Sequence, residues 1–349
     1  MAVPVQVRVQ AAVVRAAYAL PQVLRRAIAG PELRRDGQVL SLDAQLLLRL
    51  QQIAGTTLVH RSGEVAPSRS HLDVGRHLVG GRRIEPVRTR EVAIPAPHGS
   101  VPATLYTPAT AEEPSGLLVF FHGGGWVIGS RVGYDNTARF LARHAGVRVL
   151  SVEYRLAPEH VFPAAVDDAL AAFDFAHANA AELGVDPARI AVGGDSAGGN
   201  LAAVVAQQTV ARGGPSPAFQ LLFYPATDAS RWRRSRELFG DGFFLTSDNM
   251  DWFGDHYAPP GVDRTDPRIS PLLGEDLTGL PPAYIATAGF DPLRDEGEAY
   301  AERLREAGVS VALSRQADLI HGYISYLGIG HRFREATAEA AGALRLALS

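Results

Sequence analysis

From about residue 86 onward, short apolar runs alternate with longer helix-like stretches, and this predicts an α/β fold with a mostly parallel central sheet. Two observations carry the prediction. The strand candidates, such as "LLVFF" (117–121) and "IAV" (190–192), are apolar without interruption, as strands covered on both faces are. The segments between them are long enough to be crossover helices, which parallel pairing requires.

The elements follow in order. "REVAIPAP" and "VPATLYTP" alternate apolar and polar residues and read as two antiparallel strands. "GLLVFFHGGG" is a buried strand, followed by a helix in "DNTARFLARHAG". "VRVLSVEYR" repeats the strand signal and leads to one long helix, "AAVDDALAAFDFAHANAAEL". "RIAVGGDS" and "AGGNLAAVVAQQTVARGG" form the next strand and helix, and "AFQLLFYP" another strand. After an insertion of nearly sixty residues come the strand "AYIATAGFDP", the helix "RDEGEAYAERLREAG", the strand "VSVALSRQ" and a terminal helix, "GHRFREATAEAAGALRLAL". The domain reading is an N-terminal helical cap segment over 1–85 and a main α/β domain over 86–349, with a second cap insertion at about 227–281. An insertion that long in a compact α/β domain has a function of its own, commonly as a lid.

Residues 1–85 read as helices joined by loops. In "SLDAQLLLRLQQIAG", Ser41 is placed to cap a helix that Gly55 stops. The stretch from His60 to Arg83 reads as irregular. Residues 1–30 carry Arg8, Arg15, Arg25 and Arg26 and no acid, with Val9, Val13, Ala16, Leu20 and Leu24 at helical spacing. The arginines interrupt any apolar stretch long enough for a secretory signal. Such a helix could lie on a membrane surface, but the preferred reading packs its apolar face on the rest of the protein.

Composition narrows the chemistry. The 349 residues are 46% hydrophobic, with a formal net charge of −3. Nothing resembles the dense basic patch of a nucleic-acid surface, and no apolar run is long enough for a transmembrane helix. There is no cysteine, which removes disulfides, thiolate metal sites and cysteine nucleophiles. All 34 basic residues are arginine, so a P-loop lysine, a Schiff base and a Ser-Lys dyad are excluded as well.

Two glycine-rich motifs mark the site. "GDSAG", Gly194 to Gly198, falls where a buried strand turns into a helix and matches the G-x-S-x-G nucleophile elbow. Its serine sits at the tip of a strained turn, with Asp195 and Ala197 on either side and glycines where side chains would clash. "HGGGW", His122 to Trp126, ends the neighbouring strand. Its bare amides can approach a ligand oxygen as an oxyanion hole does. A serine nucleophile needs a base, and the base an orienting acid. The histidines beyond Ser196 are His256, His321 and His331. His256 lies in the insertion and His331 begins the last helix, whereas His321 lies in a loop after the last strand, where a base would reach the serine. Asp291 ends the preceding strand and is the candidate acid, while Asp295 and Glu296 fall one turn later and read as helix-capping acids.

"HGGGWVIGS", "SVEYRLAPEHVFPAAVDD", "GGDSAGGNLA", "LLFYPATD", "DPLRDEG" and "HGY" together resemble the hormone-sensitive-lipase family of α/β-hydrolases, the bacterial family IV esterases, over roughly residues 86–345. The resemblance implies an α/β-hydrolase fold with a mainly helical cap, and a cofactor-free, metal-free carboxylesterase for short- and medium-chain esters; the absence of a signal or transmembrane segment and of cysteine makes a cytoplasmic location the expectation. It implies Ser196 as nucleophile, His321 as general base and acid, and Asp291 as its orienter. The amides of Gly124, Gly125 and Ala197 would form the oxyanion hole, with His122, Gly123 and Asp195 as motif support and His122 bracing the loop. Trp126, Phe243, Leu245 and Trp252 are the pocket candidates. Most aromatics of the insertion (Phe239, Phe243, Phe244, Trp252, Phe253, Tyr257) are expected to be its own core, with one or two on the substrate. Glu159 of "RLAPEH" reads as a structural ion pair. The expected partner is a small-molecule ester. No nucleic acid is expected, membrane contact is not favoured, and a homodimer is left open. Two departures from the family pattern, Leu-Ile before His321 where Met-Ile is frequent and Gly-Phe before Asp291 where an acid often precedes the aromatic, leave substrate preference open. The rival functions on the same triad are an amidase or a long-chain lipase; a non-catalytic binding protein is the third.

Overall fold

The computed structural model describes residues 5–59 and 62–349. The side chain of Arg8, together with His60 and Arg61, falls outside the described residues. The N-terminal part holds α1 (Val5–Ala19), α2 (Gln22–Ala29), a hairpin of β1 (Arg34–Arg35) and β2 (Gln38–Val39), α3 (Leu42–Ala54) and α4 (Val65–Val79). The remainder holds β3 (Val87–Ala96), β4 (Gly99–Pro108), β5 (Ser115–Phe121), α5 (Asp135–Ala145), β6 (Arg148–Val152), α6 (Ala164–Ala178), α7 (Ala180–Leu183), β7 (Val185–Asp195), α8 (Ala197–Ala211) and β8 (Gln220–Phe223). Then come α9 (Arg234–Phe239), α10 (Ser247–Tyr257), β9 (Ala283–Phe290), α11 (Arg294–Glu306), β10 (Val311–Ile320) and α12 (Arg332–Ala347).

Eight strands form one sheet in the order β10-β9-β8-β7-β5-β6-β4-β3. β4 runs antiparallel to β3 and β6, and every other pair is parallel. The apolar strand runs are explained by cover on both faces. On β5, Leu117, Val119 and Phe121 pack into one core with α6, α8 and α11. Leu118 and Phe120 face the other core, with α5 and α12. After β5 the chain moves to β6 on one side, and after β7 it moves to β8 on the other. The carboxyl ends of β5 and β7 therefore flank a switch point, where an open parallel sheet forms a crevice.

Four local readings are corrected. Residues 65–79, read as irregular, form α4. Pro67 sits in the first turn, where a missing N–H costs nothing, and the helix is held by burial of Ser68, Leu72 and Val79. The long helix after β6 breaks at Asn179, whose side-chain amide donates to the Phe175 carbonyl, 2.9 Å away. The hairpin at 34–39 turns through Asp36 and Gly37, both at positive φ, an Asp-Gly turn signal that the sequence does contain. On α1 the buried face is Val7 and Ala11, with Val14 and Tyr18 against the core, whereas Val9 and Val13 stay largely exposed, as does Leu24 on α2. Ser41 and Gly55 act as expected: Ser41 Oγ accepts from Ala44 N–H, and Gly55 ends α3 in a left-handed conformation. Among the described residues, no helix is long and apolar enough to cross a membrane.

α8 packs into the centre of the molecule, and Leu201 on it is fully enclosed. Leu201→Ala is expected to lower stability by about 2–5 kcal/mol, read from equilibrium denaturant unfolding. A loss below about 1 kcal/mol would mean that this helix is not packed as described.

Candidate active site

β7 delivers Ser196 at φ 57° and ψ −119°, a conformation that side-chain-bearing residues rarely adopt. The turn is pinned by the Ser196 N–H donating to the Phe223 carbonyl at 2.9 Å. A Cβ on Gly198 would lie inside contact distance of the Phe121 carbonyl oxygen at the end of β5. Glycine there lets the elbow close onto its neighbouring strand. Ser196 heads α8, whose N-terminal amides favour negative charge at the serine oxygen.

Three strand ends meet at this serine. His321 lies in the turn directly after β10, as the sequence reading placed it, although the strand itself runs four residues further than read, to Ile320. Its Nε2 lies 3.0 Å from Ser196 Oγ, and its Nδ1 lies 2.7 Å from Asp291 Oδ2. Asp291 follows β9 and is fully buried, and its Oδ1 accepts from Leu293 N–H at 2.8 Å. With the Nδ1 proton held by this carboxylate, Nε2 is left to accept from the serine hydroxyl. The Tyr224 ring packs against the imidazole with centroids 4.6 Å apart. The other two histidines lie elsewhere: His256 Nδ1 lies 2.8 Å from the Trp252 carbonyl, and the His331 N–H donates to Asp43.

The glycine loop after β5 faces the elbow. Gly124 has φ 125°, and a Cβ on it would collide with the Ile128 carbonyl, so only glycine turns the loop here. Gly123 N–H donates to Asp195 Oδ1 at 2.8 Å and to Tyr134 Oη at 3.0 Å. Among the described residues, the amides of Gly124, Gly125 and Ala197 donate to no protein acceptor, and all three residues line the cavity that contains Ser196. His122 lies behind the loop, stacked on Tyr154 at 4.4 Å, with Nδ1 2.9 Å from the Gly123 carbonyl. Burial pushes its pKa down to about 3, so it stays neutral. Burial also raises the Asp195 carboxyl, against the opposing charge of Arg76 and the Tyr134 hydroxyl.

The cavity measures about 910 Å³, at the upper end of ordinary small-molecule sites. Trp126 and Leu245 are on its wall, together with Phe244 and Phe253 from the insertion. Phe243 and Trp252 are not. Phe243 packs on Phe239 and Phe290 with the Arg35 guanidinium over its ring, and the Trp252 indole donates to the Gly63 carbonyl at 3.0 Å. Periodicity could mark them as apolar but not show which way they point. Tyr257 stacks behind Trp126 at 4.4 Å. The N-terminal part supplies Val9, Val13, Leu47, Leu50 and Ile53 to the cavity lining. Glu159 is ion-paired to Arg69 at 2.7 Å. Among the described residues, no group of three or more His, Asp or Glu side chains is arranged to hold a metal ion.

A family model described as the alpha/beta hydrolase fold matches residues 118–325. The chain belongs to the α/β-hydrolase family. Among this hydrolase's relatives is "Carboxylic ester hydrolase LipN" of Mycobacterium tuberculosis, 46% identical over 327 residues, 92% of this chain and 86% of the relative. "Ethyl acetate hydrolase" of Pseudomonas putida is 38% identical over 82% of this chain and 92% of its own length. Of solved structures, an α/β-hydrolase from the metagenome of Lake Arreo superposes with a TM-score of 0.85 at 42% identity, covering 88% of this chain and 98% of that one. A hyperthermophilic esterase from Pyrobaculum calidifontis gives 0.82 at 38% identity, covering 87% and 98%. The sequence resemblance to the hormone-sensitive-lipase branch of α/β-hydrolases therefore stands.

Sequence reading missed Arg76, Tyr134 and Glu296 as parts of the site. Glu296, read as a helix-capping acid, instead turns inward, and its Oε1 accepts from Thr227 N–H at 2.7 Å and Asp228 N–H at 3.3 Å. Burial raises its pKa from 4.5 to about 8, against those two N–H donors. The folded protein thus holds this proton more tightly than the unfolded chain, so stability falls as pH rises between about 4.5 and 8. Glu296→Gln removes that slope. Its unfolding free energy is expected to gain on the native protein's steadily over this range, when both are measured by denaturant melts at several pH values. A difference independent of pH would show that Glu296 is charged when folded.

Proposed function

We propose that this α/β-hydrolase is a serine carboxylesterase acting on small-molecule esters with short- to medium-length acyl chains. The observation that carries the reading is the continuous hydrogen-bond line Ser196–His321–Asp291, which opens into a cavity beside three uncommitted backbone amides. The names of its relatives support the reaction class. In this reading Ser196 Oγ attacks the ester carbonyl while His321 Nε2 takes its proton. The carbonyl oxygen becomes an anion and is held by the amides of Gly124, Gly125 and Ala197. Asp291 keeps the imidazole in the tautomer that can accept, and it stabilises the imidazolium that forms. His321 then protonates the departing alcohol. Water enters, gives its proton to His321 and releases the acid from the acyl-enzyme by the same steps reversed.

The N-terminal helices to residue 85 and the insertion at about 227–281 act in this reading as a cap that shapes the pocket. The support is their shared contribution to the cavity wall.

Hydrolysis of p-nitrophenyl esters from two to sixteen carbons tests the reading. The native protein is expected to turn over the shorter members, and Ser196→Ala to lose about 10⁴-fold or more in kcat. An optimum at the long end would move the assignment to a lipase. A folded native protein silent on every ester, or a serine variant as active as the native one, would overturn it.

A further inference from the structure

We propose that Arg76, on the N-terminal helix α4, is a positioning residue for the oxyanion loop, acting through Tyr134 and Asp195. The inference rests on the esterase reading and goes beyond the triad and its amide donors.

Asp195 is almost fully enclosed, and both its oxygens are engaged: Oδ1 by Gly123 N–H at 2.8 Å and Oδ2 by the Tyr134 hydroxyl at 2.7 Å. A buried carboxylate stays ionised only with donors and a countercharge close by. Arg76 is that countercharge. Its Cζ lies 3.9 Å from the Tyr134 ring centroid, and its Nη2 donates to Tyr134 Oη at 2.7 Å. Tyr134 Oη also receives the Gly123 N–H at 3.0 Å. With two donors aimed at that oxygen, its own proton is left for Asp195. Arg76 does not lose its proton in proteins, so it sets the direction of the whole relay.

The relay ends on Gly123, next to the amides that would hold the oxyanion. The loop needs outside support, because Gly124 and Gly125 at positive φ carry no side chains of their own to anchor it. α4 supplies a second hold two turns earlier on the same face. Arg69 Nε donates to the Val127 carbonyl at 2.9 Å, and its Nη2 to the Ala157 carbonyl at 3.0 Å. One helix thus grips both ends of the segment from Val127 to Tyr134. Arg76 also lines the cavity beside Gly124 and Ser196, and its Nε and Nη1 are buried without a protein partner among the described residues.

Steady-state kinetics on a short p-nitrophenyl ester would compare native protein, Ser196→Ala, Arg76→Gln, Arg76→Lys, Tyr134→Phe and the Arg76→Gln/Tyr134→Phe double variant. Rates would be counted per active serine by phosphonate titration. Deleting a direct oxyanion donor costs about 10²–10³ in kcat, so a residue acting at one remove is expected to cost about 10-fold, with KM held within about twofold. Arg76→Lys restores part of the loss. The double variant is expected to be no slower than Tyr134→Phe by more than about twofold, because both act on one relay. Hydrogen exchange of the segment 123–128 is expected to speed up in Arg76→Gln. Native kcat per active site in Arg76→Gln, a loss confined to KM or to the folded fraction, or fully multiplicative losses in the double variant would each overturn the inference. A native protein silent on all esters would sink the esterase reading alone, and unchanged exchange at 123–128 would then decide against Arg76 independently.

Discussion

The site depends on one close approach, that of the turn after β7 to the end of β5. Phe121 and Gly194 are register partners, and the Phe121 carbonyl oxygen fills the space where side chains at 194 or 198 would begin. The turn can therefore seat directly on its neighbour, and the serine stands upright at the seam. Because the chain leaves β5 and β7 in opposite directions, the loops after these strands face each other across that seam. β8 then contributes the Phe223 carbonyl that pins the serine amide, and β9 and β10 bring an acid and an imidazole within 3.0 Å contacts of one another and of the serine.

Enclosing acids so near one another is the second organising problem. The protein solves it in two ways. Asp195 and Asp291 have each oxygen matched to a donor, so burial does not leave a lone pair unanswered. For Glu296, burial raises the pKa to about 8 instead.

What could be read from the sequence follows from range. Ser196 with its flanking glycines, and His122 with the glycines after it, are local patterns at strand ends, and the apolar runs before them identify those strands. Asp291 and His321 could be named because chain order assigns each to the end of a particular strand. Arg76 could not, since its meaning lies in a tyrosine 58 residues away, and α4 itself was obscured by proline, serine and glycine whose local preferences packing overrides. Phe243 and Trp252 were visible as apolar residues in the insertion, but one turn of helix or one bend of a loop decides whether such a ring faces a cavity or a neighbouring phenylalanine. The Asp36-Gly37 hairpin was available in the residues and is short enough to be overlooked.

Ser196, Asp291 and His321 all stand at ends of strands of one sheet, whereas most of the cavity wall comes from residues 9–79 and 226–269. Those segments touch the sheet through side chains that do not take part in the serine's hydrogen-bond line. Lineages that descend from a common scaffold can therefore reshape the wall by insertion, deletion or drift in these two segments while inheriting the reacting groups unchanged. The exception is Arg76, which joins the wall to the Tyr134–Asp195–Gly123 hydrogen bonds, so under the proposed positioning role drift at that position would carry a cost.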